Sequence, residues 1–406
     1  MKIKRWIRSL QLNSINRGVS DRDNLILILV LALLMFQLGK GIFSQQMKSP
    51  GIDELLHIQF GLDFWKKQDY GYGFSNPTLP QRIMALPQML FASDSTGLRL
   101  WLGRIPVFLT MLMLGAVLFV WVRARTGNGG ALIALVLYAF CPNILAHGSI
   151  AGTDMMAAAA FFISLICYIA LIRKVTLLRL VAAGSVLGML FTTKLVAFFI
   201  LPTLLALGIF RSIDHWPLHL FGRSVTQKWQ KGLALGGIVL ILGGFVVSTI
   251  WGIYGFQFRD RRGDEISSVD QMKRIDIDTP MLSWAATHRV LPETYLLAVN
   301  MMLTVTSNGY LRGENSYEGW WWYFPYAFLV KTPIPTLLCF LLGFGAAVVQ
   351  LCRFPDEPST DVPRNVLEWI GLTLSVVFYM GIAMTSTYNV GIRLIVVPSL
   401  IRAGFP

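Results

Sequence analysis

NLILILVLALLMFQLGKGIF, residues 24–43, carries one lysine and no acid among twenty positions, and its reading decides the fold. A bilayer's hydrocarbon core takes roughly 20 apolar residues per helix. A signal peptide would have a shorter apolar core and a small-residue cleavage site, whereas this run continues into Phe43-Ser44-Gln45-Gln46, so it reads as an uncleaved first span. Further apolar runs follow at 99–122, 130–147, 155–172, 177–192, 195–210, 232–251, 326–351, 366–386 and 393–401, about ten in all. With 54% hydrophobic and 14% charged residues, the chain has too little polar side chain to cover a water-soluble surface. The expected fold is an all-α membrane protein, a polytopic helical bundle with interfacial helices in its long loops. A cytosolic N-terminal arm, 1–23, precedes a single transmembrane domain, 24–406.

The net charge of +13 raises the question of nucleic acid. Its basic residues are scattered in short connections beside apolar runs, where the positive-inside rule and anionic lipid account for them, so no nucleic-acid partner is expected. Lys2, Lys4, Arg5, Arg8, Arg17 and Arg22 precede the first run. Arg123, Arg125, Arg173, Lys174, Arg179, Arg211, Arg223, Lys228 and Lys231 fall in alternate later connections. That pattern puts the N-terminus in the cytosol and two long stretches, 44–98 and 252–325, on the exoplasmic side. The four cysteines, Cys141, Cys167, Cys339 and Cys352, lie in or beside apolar runs, so neither a disulfide framework nor structural zinc is expected.

Cytosolic segments are too short for a catalytic domain and contain no glycine-rich phosphate loop, so chemistry is expected in the exoplasmic stretches. The first opens with GIDELLHIQFGLDFW, 51–65. Acids at its start and Lys66-Lys67 at its end match a helix dipole, and that alone would explain Asp53 and Glu54. Most of the remaining surface is apolar, which places the helix in the membrane interface. Asp53 and His57, four residues apart, share a face, so a carboxylate suited to act as general base projects beside an imidazole. The glycines and prolines of the following run, 69–88, rule out one continuous helix.

Asp154 is the acid of AHGSIAGTD, at the junction of the third and fourth runs. It is either a functional ionisable group or part of a helix N-cap with Thr153. His147, Gly148 and Gly152 beside it leave room for close approach. Lys194 is either a snorkelling lysine or a phosphate contact, and Lys331 either an anchor or a counter-charge to a lipid phosphate. Trp320 to Tyr323 form an interfacial belt or a platform for a sugar or isoprenoid. No metal-ligand spacing such as HxxxH occurs among these residues; the metal assignment is open, with a divalent cation conceivable between carboxylate and phosphate.

Taken together, these residues resemble the C-fold integral-membrane glycosyltransferases, in particular glycosyltransferase family 39 with its protein O-mannosyltransferases and aminoarabinose transferases. The resemblance rests on Asp53-Glu54, His57, Gly61, NPTLP at 76–80, AHGSIAGTD ending at Asp154, and TTK at 192–194. It continues through GWWWYFPYAFLVKTPIP at 319–335 and NVGIR at 389–393. It implies a polyprenyl-phosphate sugar as donor, an exoplasmic protein, lipid or glycan as acceptor, and no required cofactor. Asp53 is then the base, with Glu54 and Asp154 as further catalytic acids. His57, His147, Trp321 and Tyr323 would line the substrate site, and Lys194, Lys331 and Arg393 would meet the carrier phosphate. A donor already activated by its phosphate asks the protein to deprotonate an acceptor, align it and stabilise the leaving group, with inversion expected from a single displacement. Fewer than ten residues separate Arg393 from Arg402, so a shortened, non-catalytic homologue is the alternative expectation, with a secondary transporter as a third.

Overall fold

The structure, a computed structural model, describes residues 21–67, 76–91, 95–258, 279–304, 308–352, 364–387 and 389. Helix α1 (Asp21–Met47) contains the opening run, and α2 (Ile52–Lys67) and α3 (Leu79–Leu90) lie in the loop after it. The helical segment α4 (Thr96–Ala139) holds the second and much of the third apolar run. Gly127, at φ 75° and ψ −168°, breaks it in two. Tyr138 packs on Gly115 and donates from its hydroxyl to the Met111 carbonyl at 2.7 Å, so the two arms run back along one another. A side chain at Gly127 would be strained in that backbone conformation, which is why the reversal sits on glycine.

After α5 (Pro142–Gly148), α6 (Asp154–Arg173) forms the centre of the bundle, with 72% of its most apolar stretch buried. Strand β1 (Lys174–Val175), α7 (Leu177–Thr193), a 3-10 turn (Leu195–Ile200) and α8 (Leu201–Ile213) follow, then strands β2 (Leu218–Leu220) and β3 (Arg223–Val225) and helix α9 (Lys228–Ile253). The second long loop carries α10 (Pro280–Thr287), α11 (Glu293–Thr304) and the hairpin β4 (Gly309–Leu311) with β5 (Glu314–Ser316). Helices α12 (Tyr323–Lys331), α13 (Ile334–Cys352) and α14 (Arg364–Met384) complete the described chain.

Apolar area does not drive helix association in lipid as it does in water, so small residues that permit close approach decide the contacts. A Cβ at Gly184 would meet the Phe245 ring, and one at Gly188 the Thr249 side chain, which fits α7 against α9. Between α4 and α14, Arg125 donates from Nε to Glu368 Oε2 at 2.6 Å, with its guanidinium 3.7 Å over the Trp121 ring.

Among the described residues, six helices are long and apolar enough to cross a bilayer, or seven if Tyr323–Lys331 and Ile334–Gly343, bent by 116°, make one span. The membrane bundle stands; the count of about ten is not reached by this measure. Physical causes account for the difference. The second and third runs share one helical segment around Gly127, the fifth is the short α7, the eighth is bent, and 393–401 lie outside the described residues. The two small sheets, β1-β2-β3 and β4-β5, were not foreseen, because strands of two or three residues are too short to show alternation.

Helices occupy both long loops, and α2 and α3 touch at Gly61, where a Cβ would overlap the backbone carbonyl of Gln81. A backbone atom cannot swing aside as a side-chain tip can. Gly61→Ala is therefore expected to cost about 1–3 kcal/mol through overpacking. A fall in thermal midpoint in detergent checks it, and an unchanged midpoint would show that α3 yields freely.

Candidate active site

Helix α2 divides its two acids. Asp53 is exposed, while Glu54 is buried. Arg104, from the first arm of α4, donates to Glu54 through Nε at 2.7 Å and Nη2 at 2.8 Å. The Gly51 amide adds a bond to Oε1 at 2.9 Å, and the Ala151 amide one to Oε2 at 2.8 Å. Four donors fill the lone-pair sites of one carboxylate. Burial alone would raise the Glu54 carboxyl; the Arg104 and backbone donors outweigh it and hold the group below the ordinary carboxylate range. Glu54 thus ties the start of α2 to α4 and to the connection leading into α6.

Farther along its length, α2 meets α3. His57 Nδ1 lies 3.3 Å from Gln81 Nε2, and the Arg82 guanidinium stacks 3.3 Å over the Phe64 ring while Trp65 Nε1 donates to the Arg82 carbonyl at 3.0 Å. Asp53 and His57 therefore keep their shared face, as helical spacing requires, at the edge of a layer made by α2 and α3.

Asp154 opens α6 and is nearly enclosed. Lys194, the residue that ends α7, forms an ion pair with its Oδ1, and His147 of α5 places Nδ1 3.4 Å from Oδ2. Thr153 makes no side-chain capping bond. Asp154 is thus engaged by side chains from two other helices, and Lys194 is drawn inward to it instead of reaching for the interface. The Glu54 bond to Ala151, three residues before Asp154, fixes the connection that delivers it. Lys48, ahead of α2, donates to Ser149 Oγ in the same connection at 3.2 Å. Burial and the nearby Arg104 lower its ammonium, with Glu54 opposing.

The aromatic segment is held from the far end of the chain. Buried Asn389 accepts from the Trp320 amide at 2.8 Å and donates to the Ser386 carbonyl at 3.1 Å. Gly319, at φ 70°, has no room for a Cβ against the Asn389 side chain. Tyr323 is buried beneath this turn and stacks with Trp320, whereas Trp321 is 69% exposed. Lys331 is exposed at the end of α12, and its carbonyl accepts from Asn143 Nδ2 at 3.2 Å. Arg393 lies outside the described residues. Among the described residues, no three His, Cys, Asp or Glu side chains converge as metal ligands.

Sequence reading passed over Arg104 and Lys48, and gave Asn389 no role beyond opening the NVGIR motif. Arg104 had a visible signal, an arginine inside an apolar run, which demands a buried counter-charge. Asn389→Ala is expected to release the turn at 319–320, since it removes two buried bonds worth about 1 kcal/mol each. Faster limited proteolysis at 308–322 checks this, and an unchanged cleavage pattern would show that Asn389 does not hold the turn.

Residues 76–251 match a family model described as dolichyl-phosphate-mannose-protein mannosyltransferase. No curated protein matches the chain. Among solved structures it is similar to ArnT from Cupriavidus metallidurans in the apo state, with 15% identity and a TM-score of 0.59 over 95% of this chain and 59% of that one. The same protein bound to undecaprenyl phosphate matches with 15% identity and a TM-score of 0.57, over 92% and 59% of the two chains. The apo oligosaccharyltransferase of Archaeoglobus fulgidus matches with 12% identity and a TM-score of 0.55, over 97% and 50%. The chain therefore spans 59% of the length of ArnT. At these identities the likeness is one of fold, and the fold is the C-type glycosyltransferase membrane fold that the sequence resemblance implied.

Proposed function

We propose that the chain transfers a sugar from a polyprenyl-phosphate carrier to an acceptor presented at the end of the bundle that holds Asp53 and Asp154. The observation that carries this reading is the tie from Glu54 to Arg104 and Ala151, which brings the segments of both acids to one place. The family match over 76–251 and the fold shared with ArnT bound to undecaprenyl phosphate support the carrier class.

In this mechanism the acceptor oxygen attacks the anomeric carbon while the bond from that carbon to the phosphate oxygen breaks. The electron pair leaves with the phosphate, and Asp53 takes the acceptor proton, so one displacement inverts the centre. Asp154, neutralised by Lys194 and flanked by His147, orients the sugar or acceptor; this makes Lys194 a positioning residue. Lys331 meets the carrier phosphate, with Lys48 a second cation at the same end, and Arg393, which lies outside the described residues, is assigned to the same phosphate on the sequence resemblance alone. Trp321 and Tyr323 border the sugar and lipid, and His57 sits beside the base. Protein, lipid and glycan hydroxyls all suit this chemistry as acceptors. No cofactor enters it, and chelation with EDTA tests whether a divalent ion contributes.

The proposed orientation puts this end outside the bacterial cytoplasmic membrane and the N-terminus in the cytosol. At the other end of the bundle stand Arg125, tied to Glu368, and Arg211 and Lys231, both tied to Asp214, which agrees with the positive-inside pattern. Membranes containing the chain should consume one member of a panel of polyprenyl-phosphate sugars. Consumption of none, with the protein shown to be folded, would remove the reading.

A further inference from the structure

At the end of the bundle away from the acids, β1 pairs parallel with β2, and β2 antiparallel with β3. The Leu220–Arg223 pairing leaves a two-residue loop, Phe221-Gly222, with φ of 48° and 88°. Positive φ at both central residues is the signature of a type I′ turn, where Asn-Gly is favoured and a bulky side chain in the first position is strained. Phe221 nevertheless stands there 59% exposed, outside the protein's own core. Trp229, at the start of α9, is 64% exposed nearby in the chain.

The hairpin is fixed to the spans. The Phe221 amide donates to the Val175 carbonyl at 3.1 Å. Arg211 donates to the Pro217 carbonyl at 2.5 Å, and Lys231 to the Trp216 carbonyl at 3.1 Å. An aromatic tip tied this closely to the ends of α6, α8 and α9 cannot withdraw from the bilayer surface those helices cross.

Charge identifies what it meets there. From 173 to 231 the sequence holds a single acid, Asp214. Asp214 is buried and bonded to Arg211 at 2.6 Å and Lys231 at 2.5 Å. The exposed Lys174, Arg223 and Lys228 therefore face outward with no acid from that stretch among them.

We propose that the β2–β3 hairpin is a membrane-surface anchor selective for anionic phospholipid. The Phe221 and Trp229 rings enter the boundary between headgroups and acyl chains, and Arg223, Lys228 and Lys174 bind the lipid phosphates. This rests on the membrane fold and is independent of the enzymatic reading.

Hydrogen exchange at 218–225 tests it with the full chain in phosphatidylcholine nanodiscs and in nanodiscs that also contain phosphatidylglycerol. Exchange in wild type should slow when phosphatidylglycerol is present. Arg223→Gln and Lys228→Gln should each lose about fivefold of that slowing, the worth of one basic residue at an anionic surface. Phe221→Asn suits the turn better, so it should keep the hairpin folded while losing protection in both lipids. Equal wild-type exchange in detergent and in both nanodiscs would overturn the proposal. So would slower exchange by Phe221→Asn in every medium, which would mark the phenylalanine as merely a poor turn residue.

Discussion

Replacing Asp53 by asparagine is expected to abolish sugar transfer while leaving the chain folded. The side chain is exposed and stands outside the Glu54–Arg104 tie, so its loss leaves that buried network whole. An amide has almost the same shape but cannot accept the acceptor's proton, and general-base catalysis is worth about 10²–10⁴ in rate. Turnover of the carrier-linked sugar should fall by that range, with the thermal midpoint in detergent unchanged. Equal turnover would remove Asp53 as the base. A midpoint that falls together with activity would assign Asp53 to structure. Glu54→Gln is the informative contrast, because it should act chiefly on stability.

The largest stability effect is expected at Arg104. Removing one partner of a buried ion pair leaves the other charge uncompensated, at a cost of about 3–5 kcal/mol. Arg104→Met should therefore lower the thermal midpoint sharply. The double variant with Glu54→Gln should recover part of the loss, since no buried charge is then stranded. If both variants are equally unstable, the interaction is not one of charge.

Acidity separates the two forms further. In the wild type, the folded-state pKa of Glu54 is depressed. Its contribution is present above the ordinary carboxylate value of about 4.3 and is lost as pH falls through the lower folded value. In Arg104→Met, burial dominates and raises the group instead. The variant should then gain on the wild type as pH falls from about 7 toward about 4, because protonation relieves the stranded charge. A constant gap across that range would show that Glu54 does not carry the effect.

The contrast between Asp53 and Glu54 shows where sequence reading reached its limit. Adjacent acids at a helix start look equivalent in one dimension, and both fit the dipole at that end. Their side chains point about 100° apart around the helix, so one meets the loop surface and the other the bundle. Only the approach of Arg104, fifty positions later in the chain, determines which is which. Lys194 tells the same story. Its place at the end of an apolar run was legible, but its commitment to Asp154 depends on the packing of α7 beside α6. The second and third spans were legible as apolar runs, and Gly127 as a break between them, while the return of one arm along the other required Tyr138 to find Gly115.

By itself, the sequence determined the membrane class, the helical bundle, and the face that Asp53 shares with His57. These follow from composition and local periodicity, which depend on neighbouring residues and on the solvent a run of side chains can tolerate. Tertiary structure alone decided that Glu54 is a buried tie, that Lys194 and His147 enclose Asp154, that Asn389 holds the aromatic turn, and that Phe221 stands at a fixed surface tip. The physical reason is that a buried charge or amide is assigned by whichever partner desolvates it and satisfies its bonds. In this chain those partners arrive from distant helices, at registers set by glycine contacts that no local pattern records.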